Sequence, residues 1–506
     1  MSGSSIPSSP ADLALIEQLR NELQFAQLKI RVLEERLRLQ RIEKYGRGSE
    51  KLADDQLELL DLEPGVSNVE VQAESQRERI PRSRPSRRRP HPGRQQLPAH
   101  LPRVERILHC TPEQDICGIC GKDTVLIGYD ESERLNVEPA KYYVEVTKRE
   151  KKACVDHEEQ GVMAAPLPAQ IIEKGLASNQ VVINTLVEKY CNHIPLYRQS
   201  TILERDTGLE LSRVTLDGWV MKSGELLIPM AGAMRLELLR ESYLQADETP
   251  VWVQMQERRG KHHQAYLWQY GRPGGIAVFD FQMGRERAGP KQFLGQFNGL
   301  QQTDGYKAYD HTGGPKMVHA ACWSHAERYF DNVIKLNPQD PVATPILKEI
   351  HELFAIDAEA REQGLSLEAR QTLRLEKSKP LLEVIDELVK AAAKTALPAS
   401  ALARACNYTL TLWERLTRFM EYPELELSNN LAENSMRPIA IGRKNWIHVG
   451  SASAGPKVAA ILSVVESCRR LKISVRDYLQ AVLPGLANVP VSRIPELTPS
   501  AWARQP

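Results

Sequence analysis

The chain has 506 residues, enough for three or four domains and a large core. Lysine and arginine number 66 against 65 acids, so any nucleic-acid partner must be met by local basic patches and not by net charge. No apolar run approaches the roughly 20 residues that cross a bilayer, and the amino terminus lacks the basic flank and apolar core of a signal peptide. Eight cysteines in so long a chain fit reduced thiols in a cytoplasmic protein better than a disulfide scaffold.

Residues 10–50 open with a heptad pattern. With Ile16, Leu23, Ile30 and Leu37 at a, the d positions are Leu19, Ala26, Leu33 and Gln40. No Gly or Pro interrupts the pattern, and its apolar stripe is narrow. The expectation is a leucine-zipper-like coiled coil that pairs two chains through residues 16–40, with Lys29 and Glu34 at flanking g and e positions. The competing reading is a single amphipathic helix packed on the protein's own core.

Residues 51–100 read as a linker, acidic from Asp54 to about Glu74 and then basic. Between Arg77 and Arg94 stand eight arginines, four prolines and one acid, Glu78. The prolines forbid a helix, leaving an extended arm whose Arg87, Arg88 and Arg89 can lie along DNA phosphates or merely keep two domains apart. Residues 101–165 hold a CxxCG knuckle, Cys117 to Gly121, and a CxxH, Cys154 to His157, after 33 intervening residues. Two such pairs across a small sheet close a tetrahedron, which predicts a structural Zn²⁺ on Cys117, Cys120, Cys154 and His157. Cys110 competes as a ligand but has no partner at two-residue spacing.

Residues 166–240 read as helices. Gln180 to Tyr190 forms one, a second begins at Pro195 and stops near Gly208, and Arg213 to Ser223 follows the Ser212 cap. Helix, glycine turn, helix fits either a helix-turn-helix, with Arg213, Thr215 and Lys222 facing DNA, or ordinary helical packing.

Residues 241–335 begin with YLQADETPVWVQM, a strand with Asp247 inside it. A carboxylate in mid-sheet is costly unless paired or bound to a metal, although Thr249-Pro250 also allows a bend there. A hairpin, Ala265 to Tyr270 and Ile276 to Phe281, comes next, then a helix around Pro290 to Phe297 and a strand ending in Asp304 at a glycine turn. Glu248 cannot share the role of Asp247, because neighbouring strand residues face opposite ways. Asp310 is a weaker alternative to Asp304. Lys316 to Cys322 reads as a fifth strand, followed by His325, which either orients a phosphate or carboxylate or caps a helix. Residues 336–427 carry helical stripes and read as a folded insertion.

Residues 428–450 form a helix capped by Ser428 or Asn429, with Glu433 in its first turns and Pro438 expected to end or kink it. Two aspartates on strands and a glutamate on a helix can form a triad of hard oxygen ligands suited to Mg²⁺ or Mn²⁺. Arg437, Arg443 and Lys444 bring cations to the place where a phosphodiester would sit, and Trp446 reads as a stacking or a core aromatic. Residues 451–506 are expected to form amphipathic helices without chemistry, chiefly Ala459 to Leu471 and Val475 to Val482.

ADETPV at 246–251, TDGYKAY at 303–309 and NNLAENSMRPIAIGRKNW at 429–446 resemble the three blocks of the insertion-sequence-sixty-six family of bacterial DDE transposases, and the similarity spans nearly the whole chain. The resemblance implies a multidomain α+β protein with a ribonuclease-H-like α/β catalytic core interrupted by a helical insertion. Asp247, Asp304 and Glu433 would then hold two Mg²⁺ or Mn²⁺ ions for DNA strand cleavage and strand transfer at terminal inverted repeats. It also implies a zinc-binding domain, usually ending in CxxC, so His157 is a departure. The implied partners are element-end and target DNA, a second copy of the chain, and accessory proteins of the same element, in the bacterial cytoplasm and on the nucleoid. The alternatives are a catalytically inactive or domesticated zinc-containing DNA-binding protein, and a nuclease without strand transfer.

Overall fold

The computed structural model describes residues 10–45, 142–153, 162–173, 175–255 and 262–504. The basic arm with Arg87, Arg88 and Arg89, and Cys110, Cys117, Cys120, Cys154 and His157, lie outside the described residues. Two units are distinguished, 85–162 and the remainder. Of the first, residues 142–153 and 162 are described, among them β1 (Lys151–Ala153); β2 (Val162–Ala164) follows in the chain.

The larger unit starts with α1 (Pro10–Tyr45). Its heptad positions Leu19, Leu23, Ile30, Leu33 and Leu37 are exposed, whereas Val32 and Leu39 are buried. The helix therefore carries a second apolar stripe that the heptad pattern does not mark. That stripe packs α1 onto the body, where Glu35 accepts the backbone N–H of Ala401 at 2.7 Å.

Helices α2 (Asn179–Tyr190) and α3 (Leu196–Thr207) follow, and Gly208 stops α3 in the left-handed conformation. Helix α4 (Arg213–Leu238) starts at the Ser212 cap but runs fifteen residues beyond Ser223, through Pro229. Its length is set by packing: Trp219, Val220, Leu227, Met230 and Met234 are all buried.

Strand β3 (Tyr243–Gln254) runs straight through Thr249-Pro250, so the bend expected as an alternative is not formed. It pairs antiparallel with β4 (His262–Gly271), which pairs antiparallel with β5 (Ala277–Gln282). Helix α5 (Ala288–Leu294) leads to β6 (Leu300–Thr303), which is parallel to β3 and then to β7 (Val318–Ala321). The main sheet has the order β5-β4-β3-β6-β7 and is mixed, antiparallel on one side of β3 and parallel on the other.

Helix α6 (Trp323–Leu336) opens the insertion, which continues with α7 (Ala343–Glu362), α8 (Leu367–Leu373), a π turn at Arg374–Ser378, α9 (Lys379–Thr395), α10 (Ala401–Thr411) and α11 (Trp413–Thr417). These helices have their own core around Phe330, Ile346, Ile350, Leu353 and Ile385. Inside it Arg374, 1% exposed, bonds Asp357 and the carbonyls of Phe419 and Leu425.

Helix α12 (Asn430–Trp446) carries Glu433. It continues past Pro438 to Trp446, so the proline does not end it; only the Asn434 carbonyl loses its intrahelical donor. Strand β8 (His448–Val449) then pairs with Trp252 and Val253 of β3. Helix α13 (Gly455–Arg470) is no amphipathic surface helix. Every residue from Val458 to Cys468 is buried, and Ser463 and Ser467 bond the backbone of the edge strand β5 at Phe279 and Ala277. The approach of α4 to α13 needs Gly224, where a Cβ would stand 2.8 Å from that of Lys457. The described chain closes with α14 (Val475–Val482) and α15 (Pro499–Ala503). No helix among the described residues is long and apolar enough to cross a membrane.

Candidate functional site

The site forms where β3, paired with β4 on one side, has no strand neighbour on the other. On its parallel side β3 pairs with β6 only over Tyr243–Gln245 and with β8 only at Trp252 and Val253. Between them the backbone groups of Ala246, Glu248 and Pro250 face an open edge, and each is met by a side chain. Asn429 Nδ2 donates to the Ala246 carbonyl at 3.3 Å, the Glu248 N–H donates to Asp247 Oδ1 at 2.9 Å, and Arg443 Nη1 donates to the Pro250 carbonyl at 2.7 Å. Pro250 is tolerated in the strand because its missing N–H lies on this unpaired side.

The start of α12 is fixed to the sheet by a buried polar network. Gln245 Nε2 donates to the Ser428 carbonyl at 3.0 Å, and Gln302 Nε2 to the Glu426 carbonyl at 2.6 Å. Tyr243 Oη donates to Gln302 Oε1 at 2.6 Å. Asn429, fully buried, caps α12 without a side-chain bond to the helix; its side chain instead reaches β3, and its N–H is directed to Cys322 Sγ at 3.4 Å. Cys322 thus anchors the glutamate helix, and burial pushes its thiol up to about 12. None of these anchors stands out in the sequence. A glutamine on a strand is an unremarkable residue until its partner, more than a hundred positions away, is known.

Asp247, Asp304 and Glu433 come into one electrostatic neighbourhood. Burial, then Glu248, Glu433 and Asp304, push the Asp247 carboxyl up to about 8. Asp304 follows β6 directly, at the left-handed Gly305; its Oδ1 accepts the Tyr306 N–H at 2.8 Å, and its carbonyl accepts Tyr408 Oη at 2.7 Å. Glu433 faces Arg328 Nη2 at 3.2 Å and His325 Nε2 at 3.6 Å. His325 therefore sits beside a carboxylate and is not the cap of α6, a place held by Cys322. Its imidazole is pushed down by burial, against the pull of Glu433. Glu248, 2% exposed at its side chain, turns away to Arg285 and to Tyr309 Oη at 2.8 Å, as alternation along β3 requires. Asp310 is held by Arg415 at 2.7 Å.

The oxygen donors suit a hard divalent cation, and no cation pairs with Asp247 among the described residues. Among those residues, however, no group of three or more His, Cys, Asp and Glu side chains is close enough to hold a metal ion. Glu433 is paired with Arg328, which competes with any divalent cation for its carboxylate. Arg328→Gln should accordingly tighten Mn²⁺ binding in calorimetry while leaving the melting temperature nearly unchanged, since a pair with a half-exposed arginine contributes at most about 1 kcal/mol. Arg328 is not legible as a site residue in the sequence, because a helix-surface arginine carries no signal there.

The three predicted cations of α12 separate. Arg443 is engaged with Thr249 Oγ1 at 2.9 Å and with Pro250, so it holds α12 against β3. Arg437 and Lys444 are exposed. Trp446 is half-buried, with the Lys189 ammonium 5.8 Å from its ring centre.

A mixed sheet with acids at one open strand edge, and exposed cations on the helix beside them, defines an acidic site bordered by positive charge. The chain belongs to a family of transposases: the sequence model described as the Transposase IS66 family matches residues 174–457, more than half of the chain. Two further models match, "Transposase C of IS166 homeodomain" over 32–106 and "zinc-finger binding domain of transposase IS66" over 114–155. The latter spans Cys117, Cys120 and Cys154 and stops short of His157. The chain is also similar to two proteins of Sinorhizobium fredii (strain NBRC 101917 / NGR234). Uncharacterized protein y4qI is 32% identical over 463 residues, covering 88% of this chain and 83% of that one. Uncharacterized protein y4jD is 30% identical over 423 residues, covering 80% and 81%.

Proposed function

We propose that the chain is a DDE transposase of an insertion sequence, which binds terminal inverted repeats and catalyses metal-dependent DNA strand cleavage and strand transfer from a ribonuclease-H-like core. The observation that supports this reading is the electrostatic coupling of Asp247 to Asp304 and Glu433, from sequence separations of 57 and 129 positions, at an edge where Asp247 has no cation partner among the described residues. The strand order, with β3 central between an antiparallel and a parallel wing, supports a ribonuclease-H-like core. Asp247, Asp304 and Glu433 would hold Mg²⁺ or Mn²⁺, two ions in all. Bound there, the metal would acidify a water or a 3′-hydroxyl and neutralise the leaving oxygen. The residues around it hold the site in shape: Asn429 and Arg443 fix α12 to β3, His325 orients Glu433, and Arg437 and Lys444 meet the phosphates on either side of the scissile bond.

Cys117, Cys120, Cys154 and His157 would hold a structural Zn²⁺ that folds the 101–165 domain, and Arg87, Arg88 and Arg89 would track the backbone outside it. The exposed heptad face of α1 favours a homodimer, which would pair two element ends, with accessory proteins of the element as further partners. Ile30→Glu with Leu23→Glu should halve the mass seen in sedimentation without changing the melting of the body, because both side chains are exposed. An unchanged mass would remove the zipper.

The deciding experiment mixes purified chain, a labelled element-end duplex and Mg²⁺ or Mn²⁺, comparing wild type with Asp247→Asn and Glu433→Gln. Terminal nicking that both variants lose while still binding the duplex supports the triad. Specific binding without cleavage in either metal would favour the second reading, an inactive DNA-binding relative, for which the Glu433–Arg328 pair is the one structural argument.

A further inference from the structure

The turn that carries Asp304 is held from two directions. Its own side chains satisfy two backbone groups: Thr303 Oγ1 accepts the Gly305 N–H at 3.1 Å, and Asp304 Oδ1 accepts that of Tyr306 at 2.8 Å. Asp304 Oδ2 takes no protein partner among the described residues. The Asp304 carbonyl is met from the helical insertion, where Tyr408 Oη of α10 donates to it at 2.7 Å across 104 positions of sequence. The same helix ends at Leu412, which packs on the next residue: a Cβ on Gly305 would collide with Leu412 Cδ1. The ring of Tyr329, on α6, lies 4.7 Å from that of Tyr408, centre to centre. Ala405 and Cys406 seat α10 in the core of the insertion.

Position 305 has two requirements that glycine meets, a φ of +87° and no side chain where Leu412 approaches. Glycine also takes φ of either sign about as readily, so by itself it leaves the 304–305 peptide free to turn over. Turned over, that peptide would lose Thr303 Oγ1 at its N–H and Tyr408 at its carbonyl, and the backbone torsion of Asp304 would change. The rotamers open to a side chain depend on its backbone torsions, so this peptide helps to aim the Asp304 carboxylate. We propose that Tyr408 is a positioning residue of the acidic site: it fixes the 304–305 peptide and so leaves Asp304 Oδ2 directed to a divalent cation. The cation rests on the reading of Asp304 as a metal ligand; the hold on the turn does not. The insertion is then part of the site and not a spacer between the second and third acids.

The test compares full-length wild type, Tyr408→Phe, Asp304→Asn and the double variant. Phenylalanine keeps the ring against Tyr329 and removes one hydroxyl, so the melting temperature should stay near that of wild type. In metal-free protein, hydrogen exchange over residues 303–309 should quicken about fivefold in Tyr408→Phe, as loss of one hydrogen bond from a local opening requires. Exchange in β3 and α12 should stay as it was. Unchanged exchange over 303–309 overturns the hold on the turn. In calorimetry with Mn²⁺, Tyr408→Phe should bind about tenfold more weakly, the size expected when a group that orients a metal ligand is lost. The same substitution should add nothing once Asp304 is asparagine. Equal weakening in both backgrounds, or Mn²⁺ binding that Asp304→Asn weakens and Tyr408→Phe leaves alone, overturns the positioning role. Mn²⁺ binding that Asp304→Asn leaves as in wild type overturns the metal reading of Asp304 and the role toward a cation with it. The exchange measurement then still decides whether Tyr408 holds the turn, because it uses no metal.

Discussion

Asp247→Asn should make the metal-free protein more stable at pH 8 while abolishing cleavage. Burial and then three neighbouring acids disfavour the charge and push the carboxyl up to about 8 from an ordinary value of 3.8. A carboxyl raised on folding costs nothing below its unfolded value, where both states hold the proton. It costs increasingly as pH climbs from about 4 to about 8, where the unfolded chain ionises first. At 1.36 kcal/mol per unit the penalty at pH 8 is of the order of several kcal/mol. Denaturant melts from pH 4 to 9 should show wild type losing stability over that window and Asp247→Asn losing much less. Added Mg²⁺ should restore wild type at pH 8 and leave the variant unmoved, since a ligand stabilises only the state it binds. Equal pH profiles would mean that Asp247 is better solvated or better paired than its surroundings imply.

Asp357→Ala should be the most damaging single change in the insertion. Arg374 and Arg370, 1% and 8% exposed, both bond Asp357, the first at 2.7 Å and the second at 2.6 Å. Burial drives the Asp357 carboxyl up, but the two guanidiniums outweigh it and hold it below the ordinary range. Removing the acid leaves two buried cations together, a loss of about 3–5 kcal/mol. The effect should reach the acidic site, because Arg370 also pairs with Glu426 at 3.2 Å, and the Glu426 carbonyl is the acceptor of Gln302 in the network that positions α12. Chemical denaturation should show the loss, and weak cleavage by the surviving folded fraction should accompany it. Because the Asp357 pKa is depressed, its contribution is present above about pH 4 and disappears as pH falls below its folded value. Replacing Asp357, Arg370 and Arg374 together by apolar residues should cost far less than Asp357→Ala alone, which separates broken pairing from lost packing.

Much of the chain is legible in the sequence, and the reasons are local. β3, the β4–β5 hairpin, the start of α12 and the insertion's helices follow from apolar periodicity and turn residues within a few positions of one another. Asp247 stands out because a carboxylate in a strand conflicts with its own neighbourhood, and Asp304 and Glu433 through the blocks that resemble a family. Pro250 does not bend β3 and Pro438 does not end α12. Proline rules describe an isolated segment, whereas Pro250 faces an unpaired strand edge and α12 runs past Pro438 while packed against β3.

What the sequence determined by itself was therefore the periodic elements, the one acid that conflicts with its strand, Asp247, and the blocks that resemble a family. Tertiary structure alone decided which groups meet. It directed Asn429 to the Ala246 carbonyl and Arg443 to β3, placed Arg328 on Glu433, buried α13 on every side, and gave α1 a second apolar stripe beneath its exposed heptads. It also set Tyr408 on the Asp304 carbonyl, a meeting that no spacing in the sequence foretells. The physical reason is common to all of them: unpaired backbone groups, buried hydroxyls and buried charges take partners by proximity in space, and sequence periodicity records only proximity along the chain.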